Sequence, residues 1–439
     1  MSGLESSDVA ISGVTEEKHG HVASLHGGYT HFAYILMAPA LFFYTLFLIL
    51  PMLGTVVISF TDWTGINFAT MRFNGLENFT TMAHDPFFWK ALRDSFLFVV
   101  FSLTLELGLA LIVALLLESN IRFSGWFRGI FFVPSVLSLV VIGLLFSFIL
   151  DPTIGIVDIL LRKVGLNGPA FGWLGTPGVN IYVVIAAHIW RQFGFTMFLL
   201  IAGLQAVPRE LHEAARLDGA TPWQLTTRIT IPLIRDVLVV AALLTSVSAM
   251  RVFDLVYVMT QGGPYHASET VVTYVYDLGL GTGRTQQGYA TAIAFVLMLL
   301  LIGMSGLQLW LTRSRNEVAE ERWRGMKFEE LSRPVRVLSY VFLVLLALTI
   351  LYPLVWMSYT ALKTNPEVMR SPFGLPRRIE FSNIADAWRT GGFTRLYFNS
   401  LLVSIVSVLG IVGMAAAAAY PLARRDFRGN KLIHAYFLI

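Results

Sequence analysis

The chain has 439 residues, of which 55% are hydrophobic and only 14% are charged, and its mean hydropathy is +0.66. Soluble domains carry about 25% charged residues, so this composition excludes a water-soluble enzyme and also a disordered protein, which would be polar. The net charge of +4 indicates little about partners. The chain has no cysteine, which excludes a disulfide framework, a thiolate metal site and a cysteine nucleophile.

Eight apolar segments are long enough to cross a hydrocarbon core of about 30 Å. A polar leader, residues 1–30, precedes them and lacks the basic start and apolar stretch of a cleavable signal. The predicted spans are 32–61, 95–117, 129–150, 181–204, 237–259, 285–312, 337–362 and 396–423. The sequence therefore predicts an all-α, polytopic membrane protein.

The distribution of lysine and arginine predicts the orientation of the spans. Among the first six spans, thirteen basic residues lie on the side of the leader and six on the opposite side. We therefore expect the leader, the loops after spans two and four, and the segment after span six to be cytoplasmic. The loop between spans seven and eight is an exception, because it is basic and yet predicted to be external.

Three landmarks of the sequence recur at nearly the same offset. Pro51 pairs with Pro353, Ser95 with Ser400, and Gly125 with Gly429, at separations of 302, 305 and 304 positions. A constant offset predicts a duplicated membrane unit, with the charged segment 316–334 as the linker. The alternative is a chance likeness, since proline and glycine are frequent in all membrane helices.

Motifs for soluble catalytic chemistry are absent from the sequence. No glycine is followed by lysine, so the chain has no phosphate-binding loop of the Walker type. No zinc-protease motif, no histidine and carboxylate cluster with metal-ligand spacing, and no nucleophile elbow is found. We predict neither catalytic nor metal-binding residues.

The cytoplasmic loop 205–232 carries the most specific pattern. Pro208 suits the first turn of a helix, and Gly219 permits a sharp turn after it. Thr221 and Gln224 then have the spacing of a capping box at the start of a second helix. Two short helices hinged at a glycine form a compact protrusion; the alternative interpretation is a solvated surface hairpin.

This loop resembles the coupling loop of ABC importer permeases, and its form Glu-Ala-Ala-x-x-Asp-Gly-Ala is similar to the carbohydrate-uptake branch of the maltose and glycerol-3-phosphate type. Further segments match that branch: 131–134 (FFVP), 202–205 (AGLQ), 253–257 (FDLVY), 259–264 (MTQGGP) and 288–290 (GYA). Residues 359–364, 397–400 and 419–429 resemble the partner permease of the same systems.

The resemblance implies a type I ABC importer transmembrane fold, with a first permease unit at 31–315 and the N-terminal part of a second at 335–439. It implies a multi-pass protein of a bacterial or archaeal cytoplasmic membrane that moves a sugar or a glycerol-phosphate-like solute. A cytoplasmic ABC ATPase dimer would bind the ATP and magnesium, so that this chain binds no cofactor. An external solute-binding protein would deliver the sugar. The ATPase-docking residues carried over from the family are Glu213, Ala214, Ala215, Asp218, Gly219, Ala220 and Pro232.

Polar residues inside the spans are candidates for the substrate pathway, because a charge facing lipid costs several kcal/mol. They are Arg191, Gln192, Arg251 and Asp254, with the aromatic Phe253 and Tyr257 close to them in sequence. Arg251 and Asp254 are three residues apart, so we expect them on one helical face, where they would neutralise each other. The alternative is that these groups only hold helices together.

Two other classes of protein fit parts of the pattern. A secondary transporter also has repeated six-span halves, but it would not need the hinged loop and should hold coupling-ion carboxylates, of which the spans contain only Glu106 and Asp254. A membrane-embedded enzyme, such as a lipid-linked glycosyltransferase, would need clustered external carboxylates. From the repeat we also expect a second coupling loop near position ~517, beyond Ile439, so that the second unit is present only in part.

Overall fold

The computed structural model describes residues 31–119, 121–207, 211, 215, 218–281, 285–313, 333–424 and 429–437. In these ranges the chain is helical, apart from turns and one isolated antiparallel bridge between Thr61 and Phe73. The described helices of six residues or more are α1 His31–Ile58, α2 Glu77–His84, α3 Pro86–Glu118, α4 Ser124–Val136, α5 Leu139–Ile149, α6 Ile156–Lys163, α7 Asn180–Gln205, α8 Arg235–Met250, α9 Asp254–Met259, α10 Val271–Leu280, α11 Gln287–Arg313, α12 Arg333–Thr360, α13 Asn365–Arg370, α14 Ser382–Thr390, α15 Phe393–Arg424 and α16 Asn430–Phe437.

Seven of the eight predicted spans are confirmed as apolar helices long enough to cross a membrane. They are α1, α3, α7, α8 continued by α9, α11, α12 and α15. Several have apolar faces exposed on the surface of the chain, as helices in contact with lipid require. The all-α polytopic fold is thus confirmed.

The third predicted span, 129–150, is not one continuous helix in the structure. α4 and α5 form a pair bent by 98°, with Leu137 and Ser138 in extended conformation between them. Pro134 lies one turn before the break, where its ring removes a backbone donor and disfavours a continuous helix. The break leaves the last carbonyl groups of α4 without helical partners.

The fifth span is also interrupted. α8 ends at Met250 and α9 begins at Asp254. Residues 251–253 between them are not helical, and Phe253 has a φ of −131°. The polar residues of this span therefore lie at a break rather than along a regular helix.

The chain divides into two compact units that do not follow its order. The larger unit consists of Thr55–Asn383, and the smaller unit combines Met1–Gly54 with Ile384–Ile439. In the smaller unit, Ala33 and Met37 of α1 pack with Ala418 of α15. In the same unit, the hydroxyl oxygens of Thr45 and Tyr436 are hydrogen-bonded at 2.7 Å.

The larger unit has two hydrophobic clusters. One contains Phe98, Ile142 and Leu255, and the other contains Phe131 and Phe193. Leu343, Ala347 and Ile350 of α12 belong to the second cluster. The seventh span thus packs against the helices that precede it in the chain, which is how membrane helices gain stability in the absence of a hydrophobic driving force between them.

An asparagine fixes the end of α1 in the larger unit. Asn78 Nδ2 donates to the carbonyl oxygens of Ser59 at 2.9 Å and Thr61 at 2.8 Å. Both carbonyls follow the last turn of α1 and would otherwise lack partners. The contact attaches the following helix, α2, to the end of the first span.

A second set of side-chain hydrogen bonds to backbone carbonyls lies after α12. Lys363 is 2% exposed, and its ammonium group donates to the carbonyl oxygens of Ser371 at 3.0 Å and Pro372 at 2.8 Å. Asn383 Nδ2 donates to the carbonyl oxygens of Ala361 at 3.1 Å and Lys363 at 2.7 Å. The lysine of the segment 359–364 therefore satisfies backbone carbonyl groups of a loop.

Candidate functional site

The sharp turn predicted at Gly219 in the loop 205–232 is confirmed. Gly219 has a φ of +80°, the left-handed conformation that glycine tolerates best. The amide of Ala220 donates to the carbonyl oxygen of Ala215 at 2.8 Å, an i→i+5 bond of the kind that accompanies a left-handed glycine at the end of a helix. Glu213 and Ala214 lie outside the described residues, and the docking role of all seven predicted residues stays a prediction.

The second half of the loop begins with the predicted capping box. The amide of Thr221 donates to Gln224 Oε1 at 2.9 Å, and the amide of Gln224 donates to Thr221 Oγ1 at 3.4 Å. Leu225 is buried and holds this turn against the rest of the chain. The helix continues through a π-turn, Thr226–Thr230, to Pro232, which is exposed.

The protruding surface of the loop contains one aromatic residue that the sequence analysis did not single out. Trp223 is 76% exposed, and Asp218 and Gly219 beside the hinge are also exposed. A large exposed aromatic side chain on a rigid turn is typical of a protein contact. The position of Trp223 between the two capping residues, Thr221 and Gln224, was the feature of the sequence that could have predicted its exposure.

Arg191 belongs to α7, and its side chain contacts the end of α4, where the third span is interrupted. Its Nη2 atom donates to the carbonyl oxygen of Ser135 at 3.3 Å, and its Nη1 atom donates to Gln192 Oε1 at 2.8 Å. Ser135 belongs to the last turn of α4, where carbonyl groups lack helical partners and carry partial negative charge. A guanidinium group stabilises such a helix end, so Arg191 serves α4 as well as facing the interior of the bundle.

The predicted pairing of Arg251 with Asp254 is wrong. Because α8 ends before Arg251, the two residues do not share a helical face, and within the described part of the chain no ion pair joins them. Both are exposed. The charge of Asp254 instead acts favourably on the guanidinium group of Arg191 in α7.

Three aromatic rings gather beside Asp254. Phe253 and Tyr257 are stacked with their centroids 5.3 Å apart, and the ring of Tyr276 lies 5.0 Å from Phe253 and 5.1 Å from Tyr257. Tyr276 was missed by the sequence analysis, because α10 is too short to be recognised as a span. A cavity of about 370 Å³ adjoins this cluster and is lined in part by Phe253, Tyr276, Gln287 and Thr291.

Glu106, which the sequence left isolated, is part of a buried polar cluster. Thr196 Oγ1 and Thr245 Oγ1 donate to its Oε1 atom at 2.9 and 3.4 Å. His188 Nε2 lies 3.9 Å from its Oε2 atom. The cluster connects α3, α7 and α8 in the interior. In the described ranges, no group of three histidine or carboxylate side chains is arranged to hold a metal ion.

On the predicted external side, one carboxylate connects three elements. Tyr274 and Tyr289 donate to Asp85 Oδ2 at 2.5 and 2.6 Å, and the amide of Phe87 donates to Oδ1 at 2.9 Å. Burial opposes ionisation, but the hydrogen bonds from both tyrosines and the backbone hold the pKa of Asp85 below its ordinary value of 3.8. The ionised carboxylate therefore attaches α10 and α11 to the start of α3.

Comparison with protein families gives a match over residues 106–317 to the model of the binding-protein-dependent transport system inner membrane component. The probable ABC transporter permease protein YurN of Bacillus subtilis is 36% identical over 63% of this chain and 94% of its own length. The lactose transport system permease protein LacF of Rhizobium radiobacter is 32% identical over 67% of this chain and 98% of its own length. The trehalose/maltose transport system permease protein MalF of Thermococcus litoralis is 31% identical over 62% of this chain and 92% of its own length.

Among solved structures, the chain is similar to one described as a bacterial alginate ABC transporter in complex with an alginate pentasaccharide-bound periplasmic protein. The TM-score is 0.55 and the identity 24%, over 64% of this chain and 93% of that chain. At this identity the match demonstrates a shared fold.

Proposed function

Because the chain belongs to the family of binding-protein-dependent transport system inner membrane components, we propose that it is a permease of an ATP-driven importer that carries a sugar across the cytoplasmic membrane. It is a multi-pass protein of the inner membrane and is not an enzyme. Relatives at 31–32% identity are named for lactose and for trehalose and maltose, which supports a small carbohydrate as the substrate.

One observation carries the assignment of the pathway. At the break between α8 and α9, the exposed Asp254 follows directly on a cluster of three aromatic rings, those of Phe253, Tyr257 and Tyr276. Sugars are bound by planar polar groups that hydrogen-bond their hydroxyls and by aromatic rings that pack against their apolar faces. A helix break inside a membrane is tolerated where it is covered by protein or lines a water-filled cavity.

We assign Arg191, Gln192, Arg251, Phe253, Asp254 and Tyr257 to the substrate pathway, as expected from the sequence, and we add Tyr276. In this arrangement the guanidinium group of Arg191 holds the end of α4 through Ser135. A sugar hydroxyl that displaces this contact would change how firmly α4 is held. This supports a pathway in which substrate and helix end share one guanidinium group.

The loop 205–232 is proposed to dock on the cytoplasmic ATPase. The left-handed Gly219, the capped turn at Thr221 and the exposed Trp223 support this role. A rigid protrusion between α7 and α8 can transmit movement of a partner to both helices. ATP and magnesium would be bound by the ATPase dimer, and the sugar would arrive on an external solute-binding protein.

We also propose that two permease units are fused, the first at 31–315 and the second within 335–439, with residues 316–334 as linker. The matching hydrogen bonds of Asn78 and Asn383, each to two carbonyls at the end of a span, support this duplication.

Reconstitution in proteoliposomes with the ATPase and the binding protein tests the proposal. We expect uptake of labelled lactose, maltose or trehalose that requires ATP and the binding protein and persists when ionophores collapse the ion gradients. The matched control is the same assembly with an ATPase that binds but does not hydrolyse ATP. Uptake driven by an ion gradient without ATP would instead establish a secondary transporter.

A further inference from the structure

Glu118 stands at an electrostatically unfavourable position. It is the last residue of α3, where the helix dipole disfavours a negative charge. Its side chain is 12% exposed, so water compensates this cost only in part. The position is stable because two other helices donate hydrogen bonds to the carboxylate.

The two groups that donate hydrogen bonds to Glu118 lie on α4 and α7. Arg128 Nη2 of α4 donates to Glu118 Oε1 at 2.5 Å, and Gln205 Nε2 donates to the same atom at 3.0 Å. Gln205 is the last residue of α7, immediately before the loop that we assign to ATPase docking. One carboxylate oxygen therefore connects the exit of α7 with α3 and α4.

The opposite end of α4 is also attached to α7. The carbonyl oxygen of Ser135 accepts from Arg191 Nη2 at 3.3 Å. Between these two points, the backbone of α4 packs so closely on α7 that a methyl group at Gly194 would overlap the carbonyl of Phe131. α4 is thus held at its cytoplasmic end through Glu118 and at its inner end through Arg191.

We propose that Glu118 is a positioning residue that transmits movement of the docking loop to α4, and through Ser135 to Arg191 in the substrate pathway. This inference rests on the proposed function. Covalent connection already joins the loop to α7 and α8, whereas α3 and α4 follow it only through non-covalent contacts. Loss of the carboxylate should leave ATP hydrolysis intact while α4 no longer follows the loop.

The test measures two rates in the same proteoliposomes, namely sugar uptake and ATP hydrolysis stimulated by the loaded binding protein. For Glu118→Ala we expect hydrolysis within about twofold of the unchanged protein and about a tenfold lower ratio of sugar transported to ATP hydrolysed. Gln205→Leu, which removes only one of the two donors, should lower the ratio in the same direction. Ser119→Ala is the matched control, because among the described residues Ser119 Oγ donates to the carbonyl of Leu116 in α3 and does not join α3 to another helix.

A charge exchange provides the rescue. Glu118→Arg combined with Arg128→Glu restores a paired charge between α3 and α4, so the ratio should recover severalfold over Glu118→Arg alone. A purely structural role would lower both rates together through the amount of folded protein. An unchanged ratio in Glu118→Ala would overturn the proposal. If the unchanged protein shows neither stimulated hydrolysis nor uptake, the proposed function itself fails, and that result differs from an unchanged ratio.

Discussion

Asn78 and Asn383 lie 305 positions apart and make the same pair of hydrogen bonds. Each donates from Nδ2 to two carbonyls two residues apart, Ser59 and Thr61 in one case and Ala361 and Lys363 in the other, at 2.7 to 3.1 Å. The offset agrees with that of the repeated sequence landmarks. Each asparagine fixes the end of a span to a short helix farther along the chain, α2 in one case and α14 in the other, so the two contacts are equivalent in two related segments.

From this equivalence we expect Asn78→Ala and Asn383→Ala to lower the free energy of unfolding by similar amounts, about 1–3 kcal/mol each, because each leaves two carbonyls without a partner. Thermal or denaturant unfolding of the purified protein in detergent measures the effect. Asn67→Ala is the control, since Asn67 caps only a short exposed turn. A loss at one asparagine and none at the other would contradict the equivalence.

The hinge of the docking loop depends on backbone conformation alone. No atom lies within 4 Å of a Cβ placed on Gly219, but its φ is +80°. Gly219→Val should therefore abolish transport-coupled ATP hydrolysis, because a β-branched residue is strongly disfavoured in this conformation, while the protein still enters the membrane.

Gly219→Asn is the matched variant, because asparagine tolerates the left-handed region better than other non-glycine residues. We expect it to retain most of the activity. ATP hydrolysis and uptake are measured at equal amounts of protein in the membrane. Unchanged uptake in Gly219→Val would exclude the docking role of this turn.

The partner of Asp254 can be identified by a double-mutant cycle. Arg191→Gln and Asp254→Asn should be non-additive, with a coupling energy of about 0.5–3 kcal/mol, because the negative charge of Asp254 favours the charged guanidinium group of Arg191. Arg251→Gln combined with Asp254→Asn should be additive. The measured quantity is the initial rate of sugar uptake divided by the sugar concentration, at sugar concentrations too low to saturate the transporter. Coupling to Arg251 and none to Arg191 would restore the pairing that the sequence suggested.

The carboxylate of Asp85 predicts a pH dependence. Its pKa in the folded protein lies below the ordinary value of 3.8, so its stabilising contribution is present above about pH 4. The contribution is lost as the pH falls through the folded pKa. Asp85→Asn should therefore be less stable at pH 7, by about 1.5–3 kcal/mol for hydrogen bonds to a charged group, and the difference should shrink in acid.

Melting temperatures of the purified protein between pH 3 and 7 would measure this difference. Asp386→Asn is the control, because Asp386 is exposed in α14. Tyr274→Phe, which removes one donor, should reproduce part of the loss. A constant difference between Asp85→Asn and the unchanged protein across this range would show that the carboxylate is not the source.

The long helices were predictable because a membrane span must satisfy its backbone internally over about 20 apolar residues. Their interruptions were not, since a break depends on partners elsewhere in the fold. The end of α4 is stabilised by Arg191, which lies 56 positions after Ser135 in the sequence. No local pattern reveals that contact.

The candidate site was predictable in part for the same reason. The turn at Gly219 and the capping box at Thr221 are local, so the sequence contained them. The non-helical residues 251–253 separate Arg251 from Asp254, and Tyr276 lies on α10, which has 10 residues and is too short for the pattern of a span. Both required the three-dimensional arrangement.

The bend between α4 and α5 also has a chemical consequence. Ser138 is exposed and extended between two apolar helices, and irregular backbone cannot face the hydrocarbon chains of lipid. This position must border either protein or water that has entered the membrane. Since the chain contains no cysteine, Ser138→Cys would introduce the sole thiol, and its rate of alkylation by a membrane-impermeant maleimide would report directly on when the transporter opens that side to solvent.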